Sequence, residues 1–253
     1  LWEGGWGGDR GAGGPGGRGG EETCADTGSA SDTDTDEDGD ADAGADSDAD
    51  ADADADTDST LTRRVPAEWE PHGATWIQWP NRWESSMRPA FADIVDVIQD
   101  YEPVHLLSGT EEEVTQARAY LDSAGVPDTN ITWHATAMDN AWMRDNGPVY
   151  VEEAGALKLL DFRFDAWGGN FGGHVTYTMD DLVPLEVADL LGLEVEDHQD
   201  YVLERGNLEV NGAGIALLNW DCQEDRNPRL SQEEQEAILE EALGVHTIIW
   251  AYG

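Results

Sequence analysis

The chain has 253 residues, 55 of them acidic and 13 basic, and a formal net charge of −42. A surface this acidic repels nucleic acid and anionic membranes, which excludes both as expected partners. No apolar run approaches the ~18 residues of a membrane helix. The two cysteines, Cys24 and Cys222, are too few for a disulfide framework and sit in no metal-type spacing.

The charge is uneven. Residues 1–60 hold 19 acids against Arg10 and Arg18, leaving 36 acids and 11 bases for the other 193 residues. The tail runs from a Gly-rich stretch ("GGDRGAGGPGGRGG") into an Asp/Ala/Thr/Ser run that includes "DADADADADTD". Alternating like charges with no apolar surface cannot offset the entropy of ordering, so residues 1–62 are expected to be a disordered, solvated spacer. Cys24 before a long acidic linker resembles the start of a mature bacterial lipoprotein, but no apolar segment precedes it. Lys158 is the only lysine. An acidic, lysine-poor surface suits a salty habitat and equally a codon bias toward arginine.

Residues 63–253 read as one globular domain, long enough to enclose a core. "SSMRPAFADIVDVIQDY" offers Ser86 as a cap, Pro89 in the first turn, and Phe91, Ile94, Val95 and Ile98 on one face of a helix. A strand follows at 103–108. A helix comes next, opened by a Thr110–Glu113 capping box and closed at Gly125. Residues 130–136 read as a second strand, and "GPVYVEE" and "ALKLLDFRF" as a strand pair across a turn at 153–155. A helix is expected at 180–191 and short strands at 194–198, 207–211 and 214–219. Ser231 and Glu234 box another helix, and "HTIIWA" is a last strand. Alternating strands and helices make the class α/β, and the recurring strand–helix–strand units suit a propeller-like array.

The segment "AWMRDNGPVY" crowds Trp142, Arg144 and Asp145 before the turn dipeptide Gly147–Pro148. A guanidinium is flat, cationic and forked, so a carboxylate grips it bidentately and an aromatic face stacks on it. Trp142 and Asp145 supply both groups. Arg144 would hold a substrate anion or lock a neighbouring acid. Read alone, the motif is equally a strand end with one buried Trp and one salt bridge.

The wider context resolves the motif further. "VPAEWEPHGATWIQWP", "DNAWMRDNGPVYV", "DFRFDAWGG", "VLERGNLEVNGAGIALL" and "CQEDRNPRLSQEE" occur in this order. Together they resemble the agmatine deiminase family of the peptidylarginine-deiminase-like (pentein) group, over about residues 65–253. The resemblance implies an α/β propeller of pseudo-fivefold repeats, of which this length would supply roughly three. It also implies a cytoplasmic hydrolase that needs no cofactor or metal and turns agmatine and water into N-carbamoylputrescine and ammonia, a step toward putrescine. In such a reaction a thiolate attacks the guanidinium carbon, a histidine shuttles protons and two carboxylates grip the nitrogens.

Carried over by position, Asp145 matches the first gripping carboxylate and Trp142 the aromatic that lines the channel. Glu204 matches an acid at the substrate's far end. Trp167, Gly168 and Gly169 match a structural turn. Arg144, Trp167 and Asn207 are further candidates for the site. Arg205 stands where the family has a glycine, so it is expected to crowd the channel or alter specificity. Cys222 matches a cysteine that is not the nucleophile and reads as a small buried hydrophobe. His174, His198 and His246 match no catalytic position, and His72, His105 and His134 read as structural.

The family's catalytic histidine, second carboxylate and nucleophilic cysteine fall after the position of Gly253. The expectation is therefore an inactive fragment. Arginine side chains in peptides, or non-catalytic binding of guanidinium compounds, remain alternative readings, and homo-oligomer formation stays open.

Overall fold

The computed structural model describes residues 62–170 and 175–253. Apart from Thr62, the expected tail lies outside the described residues, as do Cys24 and His174.

The first unit contains β1 (Arg63–Arg64), β2 (Thr75–Gln78), α1 (Arg88–Ile98), β3 (Val104–Ser108), α2 (Glu111–Ala124) and β4 (Ile131–Ala135). β2, β3 and β4 pair in parallel, with Trp76 opposite His105 and Leu107 opposite His134. Parallel strands need crossovers, and α1 and α2 supply them. Thr110 caps α2 by accepting from the Glu113 N–H, and Gly125 ends it in the left-handed region at φ 82°. Ile77, Val95, Val104, Leu106 and Leu121 form the core beneath the helices.

The start of α1 departs from expectation. Ser86 lies within a 3-10 turn over Ser85–Met87, and Met87 occupies the N-cap with no side-chain bond. Pro89 in the first turn removes one orphan N–H and presets the backbone, so the helix begins without a capping side chain. Ile94 is also outside the core, 46% exposed, while Ala92 takes the inward position beside Val95.

The second unit holds α3 (Met143–Asn146), β5 (Val149–Glu153), β6 (Ala156–Arg163), α4 (Val183–Leu191) and β7 (Glu194–Val202). β5 and β6 form an antiparallel hairpin, and β7 returns parallel to β6 after α4. β1 adds to the outer edge of β5. The third unit repeats this plan. β8 (Glu209–Val210) and β9 (Ile215–Asn219) pair antiparallel, α5 (Trp220–Arg226) and α6 (Gln232–Leu243) follow, and β10 (Thr247–Ala251) lies parallel to β9. The capping box of Ser231 and Glu234 is present at α6.

Two strand boundaries differ from the sequence reading, and four short elements are additional. β7 runs to Val202 rather than 198. The strand expected at 207–211 shrinks to two residues, because Arg205–Asn207 coil into a 3-10 turn. β1, β2, α3 and α5 were not anticipated; each is seven residues or fewer, too short to show a period.

Among the described residues, the result is three small sheets in an α/β arrangement. The first and second share a seam of Leu107, Leu159, Val183, Val187 and Ala188, against which Met143 of α3 packs. Full burial of each such leucine stabilises the fold by about 1.5–3 kcal/mol. The seam therefore fixes the floor on which the Trp142–Asp145 turn stands. Among the described residues, no helix is long and apolar enough to cross a membrane.

Candidate active site

α3 is a single turn. The Asp145 N–H bonds the Trp142 carbonyl at 2.9 Å and the Gly147 N–H bonds that of Met143 at 3.0 Å. Pro148 then stops the helix. Residues three apart share a helical face, so Trp142 and Asp145 point to the same side.

A second wall approaches from the loop after β6. Ala166 and Trp167, both at φ 57°, precede Gly168 at 68° and Gly169 at 73°, giving four successive left-handed residues. The two non-glycine residues store strain of about 1–3 kcal/mol each, which other bonds must offset. One is the Gly168 N–H on Asp165 Oδ1 at 2.7 Å. The strained turn delivers the Trp167 indole to Asp145, where Nε1–H donates to Oδ2 at 3.2 Å. Trp167 also meets Trp142 edge-to-face, with centroids 5.8 Å apart at 90°, and Phe164 at 5.3 Å and 88°.

The Gly206 backbone N–H supplies a second bond to the Asp145 carboxylate. A β-carbon at Gly206 would overlap Asp145 Oδ1, so this close approach requires glycine. The glycine needed at this turn is thus Gly206, one residue beyond Arg205. Burial pushes the Asp145 carboxyl above its ordinary value; the Trp167 and Gly206 donors and the neighbouring Arg144 charge pull it back.

Glu204 stands just before that turn, 5% exposed. Its Oε1 accepts from Arg226 Nε at 2.5 Å. Arg226 also faces Asp165 at 3.8 Å and pairs with Asp225, and its side chain is 1% exposed. Burial raises the Glu204 carboxyl, Arg226 opposes that, and Asp165 and Asp145 raise it further. Asp145, Glu204 and Asp165 share one field with the buried Arg226 guanidinium, and the more exposed Arg144 charge reaches Asp145 as well, so three carboxylates face two cations. Arg226 was not singled out from sequence, although it lies in the quoted "CQEDRNPRL" segment; its pairing spans 22 residues and no local spacing reveals it.

The remaining candidates sit around this pair. Arg144 turns to Glu68 and to Glu209, the latter at 3.2 Å. Arg205 faces a cleft of about 890 Å3 lined also by Trp76, Met143, Pro148 and Tyr150, and lies 3.6 Å from Glu68. Burial, then the Arg144 charge, lowers the Arg205 guanidinium. Asn207 exchanges two bonds with the Asn219 backbone, at 3.2 and 2.9 Å, and so pins the 204–207 turn to β9. Cys222 is buried in the first turn of α5. His105 and His134 bond each other at 2.9 Å beneath Trp76. His72 is held by Glu102 and the Glu68 carbonyl. Among the described residues, no group of three or more His, Cys, Asp or Glu side chains is placed to hold a metal ion.

Residues 64–253 match the family model described as Porphyromonas-type peptidyl-arginine deiminase. The chain belongs to this family. Within it, the chain is 37% identical over 196 residues to an agmatine deiminase of Stutzerimonas stutzeri, covering 74% of this chain and 52% of the relative. An agmatine deiminase of Ectopseudomonas mendocina is 38% identical over 197 residues, with the same coverage. The solved agmatine deiminase of Enterococcus faecalis superposes with a TM-score of 0.68 at 28% identity, over 76% of this chain and 53% of that one. The chain thus spans about half the length of the deiminases it matches. Among the described residues, the three sheets are those of the pentein fold of these Porphyromonas-type deiminases and close no barrel.

Proposed function

We propose that residues 64–253 form the guanidinium-binding part of an agmatine deiminase-type hydrolase, acting on agmatine and water to give N-carbamoylputrescine and ammonia. One observation carries this reading. The Asp145 carboxylate is fixed by two neutral donors, Trp167 Nε1–H and the Gly206 N–H, and among the described residues no cation lies within 4.0 Å of it. Neutral donors orient a carboxylate without cancelling its charge, so the pair with an incoming cation is left to be made.

In this reading the two Asp145 oxygens receive N–H groups of the substrate guanidinium, and the Trp142 indole packs beside its plane. A bound guanidinium replaces water around a partly buried anion, and in that setting the ion pair is stronger than at a surface. Glu204 is already paired with Arg226, so the carboxylates left in excess around that pair supply the negative charge for the amine end of agmatine. The relatives are about twice as long as the stretch they share with this chain. The thiolate and the proton-shuttling imidazole are assigned outside that shared stretch, so the role given to these residues is to hold and polarise the guanidinium.

Calorimetric titration with agmatine, arginine and putrescine tests the reading. Agmatine is expected to bind more tightly than arginine, whose carboxylate meets the excess negative charge. Putrescine, which has the amine but no guanidinium, is expected to bind more weakly than agmatine. Equal affinity for putrescine and agmatine would show a generic cation site and reject the proposal.

A further inference from the structure

The structure assigns Asp180 and Asp181 a positioning role: two neighbouring carboxylates clamp the Trp142 wall and the Trp167 wall of the site to each other. The geometry stands by itself, while its consequence for binding rests on the guanidinium-binding reading.

Asp180 is fully buried at the turn that leads into α4. Its Oδ1 accepts from the Asp139 N–H at 2.8 Å, the Asn140 N–H at 3.1 Å and Gln78 Nε2 at 3.3 Å. Its Oδ2 accepts from Asn140 Nδ2 at 2.9 Å. The next N–H, that of Ala141, goes to Glu84 at 3.1 Å. Three successive backbone N–H groups are thus held by carboxylates directly before Trp142. The adjacent Asp181 reaches the other way, its Oδ1 accepting from the Phe164 N–H at 2.7 Å. Phe164 packs edge-to-face on Trp167. One dipeptide therefore grips the backbone leading into each tryptophan of the site.

The chemistry calls for carboxylates. Asp180 meets donors on both oxygens, and an asparagine there would turn an N–H2 group against one of them. Charge-assisted bonds to N–H donors also run roughly twice as strong as neutral ones. Burial raises the Asp180 carboxyl to about 6 while the Asn140 and Asp139 donors oppose that rise, so it remains mostly ionised at neutral pH.

The test uses the whole chain and two readouts. The far-ultraviolet circular dichroism of wild type minus Trp142→Phe defines the exciton signal of the Trp142–Trp167 pair, with no ligand needed. Agmatine titration gives the second readout. Asp180→Asn and Asp181→Ala, which removes the acceptor of the Phe164 N–H, are each expected to lose most of the exciton signal and to weaken agmatine binding by about ten-fold or more. Leu239→Ala, which creates a cavity in a core outside this clamp, lowers the melting temperature and is expected to leave both readouts unchanged. Should Asp180→Asn fail to fold, Asp181→Ala reads the same clamp from the Phe164 side. An unchanged signal in the aspartate variants, or an equal loss in Leu239→Ala, overturns the inference. A wild type that shows the exciton signal but binds no agmatine defeats the guanidinium reading alone.

Discussion

The Trp167 indole N–H donates to the Asp145 carboxylate at 3.2 Å across 22 residues of chain. The bond joins the one-turn helix α3 to a loop whose backbone is left-handed at four consecutive positions. Its donor is neutral, so it aims the anion and leaves its charge available.

The first consequence concerns pH. Burial holds the Asp145 carboxyl above its ordinary value. A raised folded-state value contributes stability at low pH that is lost as pH rises through that value, so ionised Asp145 weakens the unliganded fold at neutral pH. A bound guanidinium favours the ionised form and reverses this cost. Agmatine is expected to raise the melting temperature at neutral pH, with the gain vanishing on acidification before an ordinary aspartate would titrate. Binding in the acidic range is expected to release a proton, measurable by calorimetry in buffers of different ionisation enthalpy.

Trp167→Phe keeps an aromatic edge but removes the donor to Asp145. Loss of a bond that stabilises the anion raises the carboxyl further. The pH at which agmatine binding is half lost is expected to move upward relative to wild type. A profile that coincides with wild type would show that this bond does not tune the carboxylate.

Gly206→Ala places a methyl group against Asp145 Oδ1. The carboxylate or the 204–207 turn must move, at a cost of about 1–3 kcal/mol for a small-to-large change in a packed site. Agmatine affinity is expected to fall by about ten-fold or more, a loss of 1.4 kcal/mol or more. Gly155→Ala, at a hairpin turn away from the site, meets no neighbouring atom but strains a backbone at φ 82°; it is expected to lower stability and leave affinity unchanged.

Away from the site, Glu196 bridges Arg63 at 2.7 Å and Lys158 at 3.1 Å. The Arg63 bond, followed by Lys158, lowers its carboxyl to about 2 against the opposing effect of burial. A depressed value contributes stability above the ordinary range that is lost as pH falls through about 2. Glu196→Gln is expected to destabilise by about 1 kcal/mol, as suits a partly exposed bridge. In urea unfolding the deficit should persist at about pH 4, where ordinary glutamates are already half protonated. A deficit that disappears there would contradict the depressed value.

Much of the scaffold was legible because its signals are local. Thr110 with Glu113, Ser231 with Glu234 and the closing Gly125 are contacts within one helical turn, and the chain forms them where the spacing says. The hairpin at 149–163 follows from alternation around a glycine turn. Ser86 misled because a proline start needs no capping side chain. The site is harder to read. Trp142 and Asp145 are three apart and visibly paired, but the Trp167 donor, the Arg226–Glu204 pair and the Asp180 anchor span 22 to 41 residues. Those contacts exist only once the sheets have packed, and no periodicity encodes them.

The central claim is that Asp145 receives a guanidinium. Calorimetric titration of agmatine into the wild-type chain and into Asp145→Asn at neutral pH tests it directly. Saturable binding to wild type is expected, with affinity lower by about a hundred-fold, roughly 2.7 kcal/mol, in the variant. Agmatine affinity that is the same in both proteins would contradict the account.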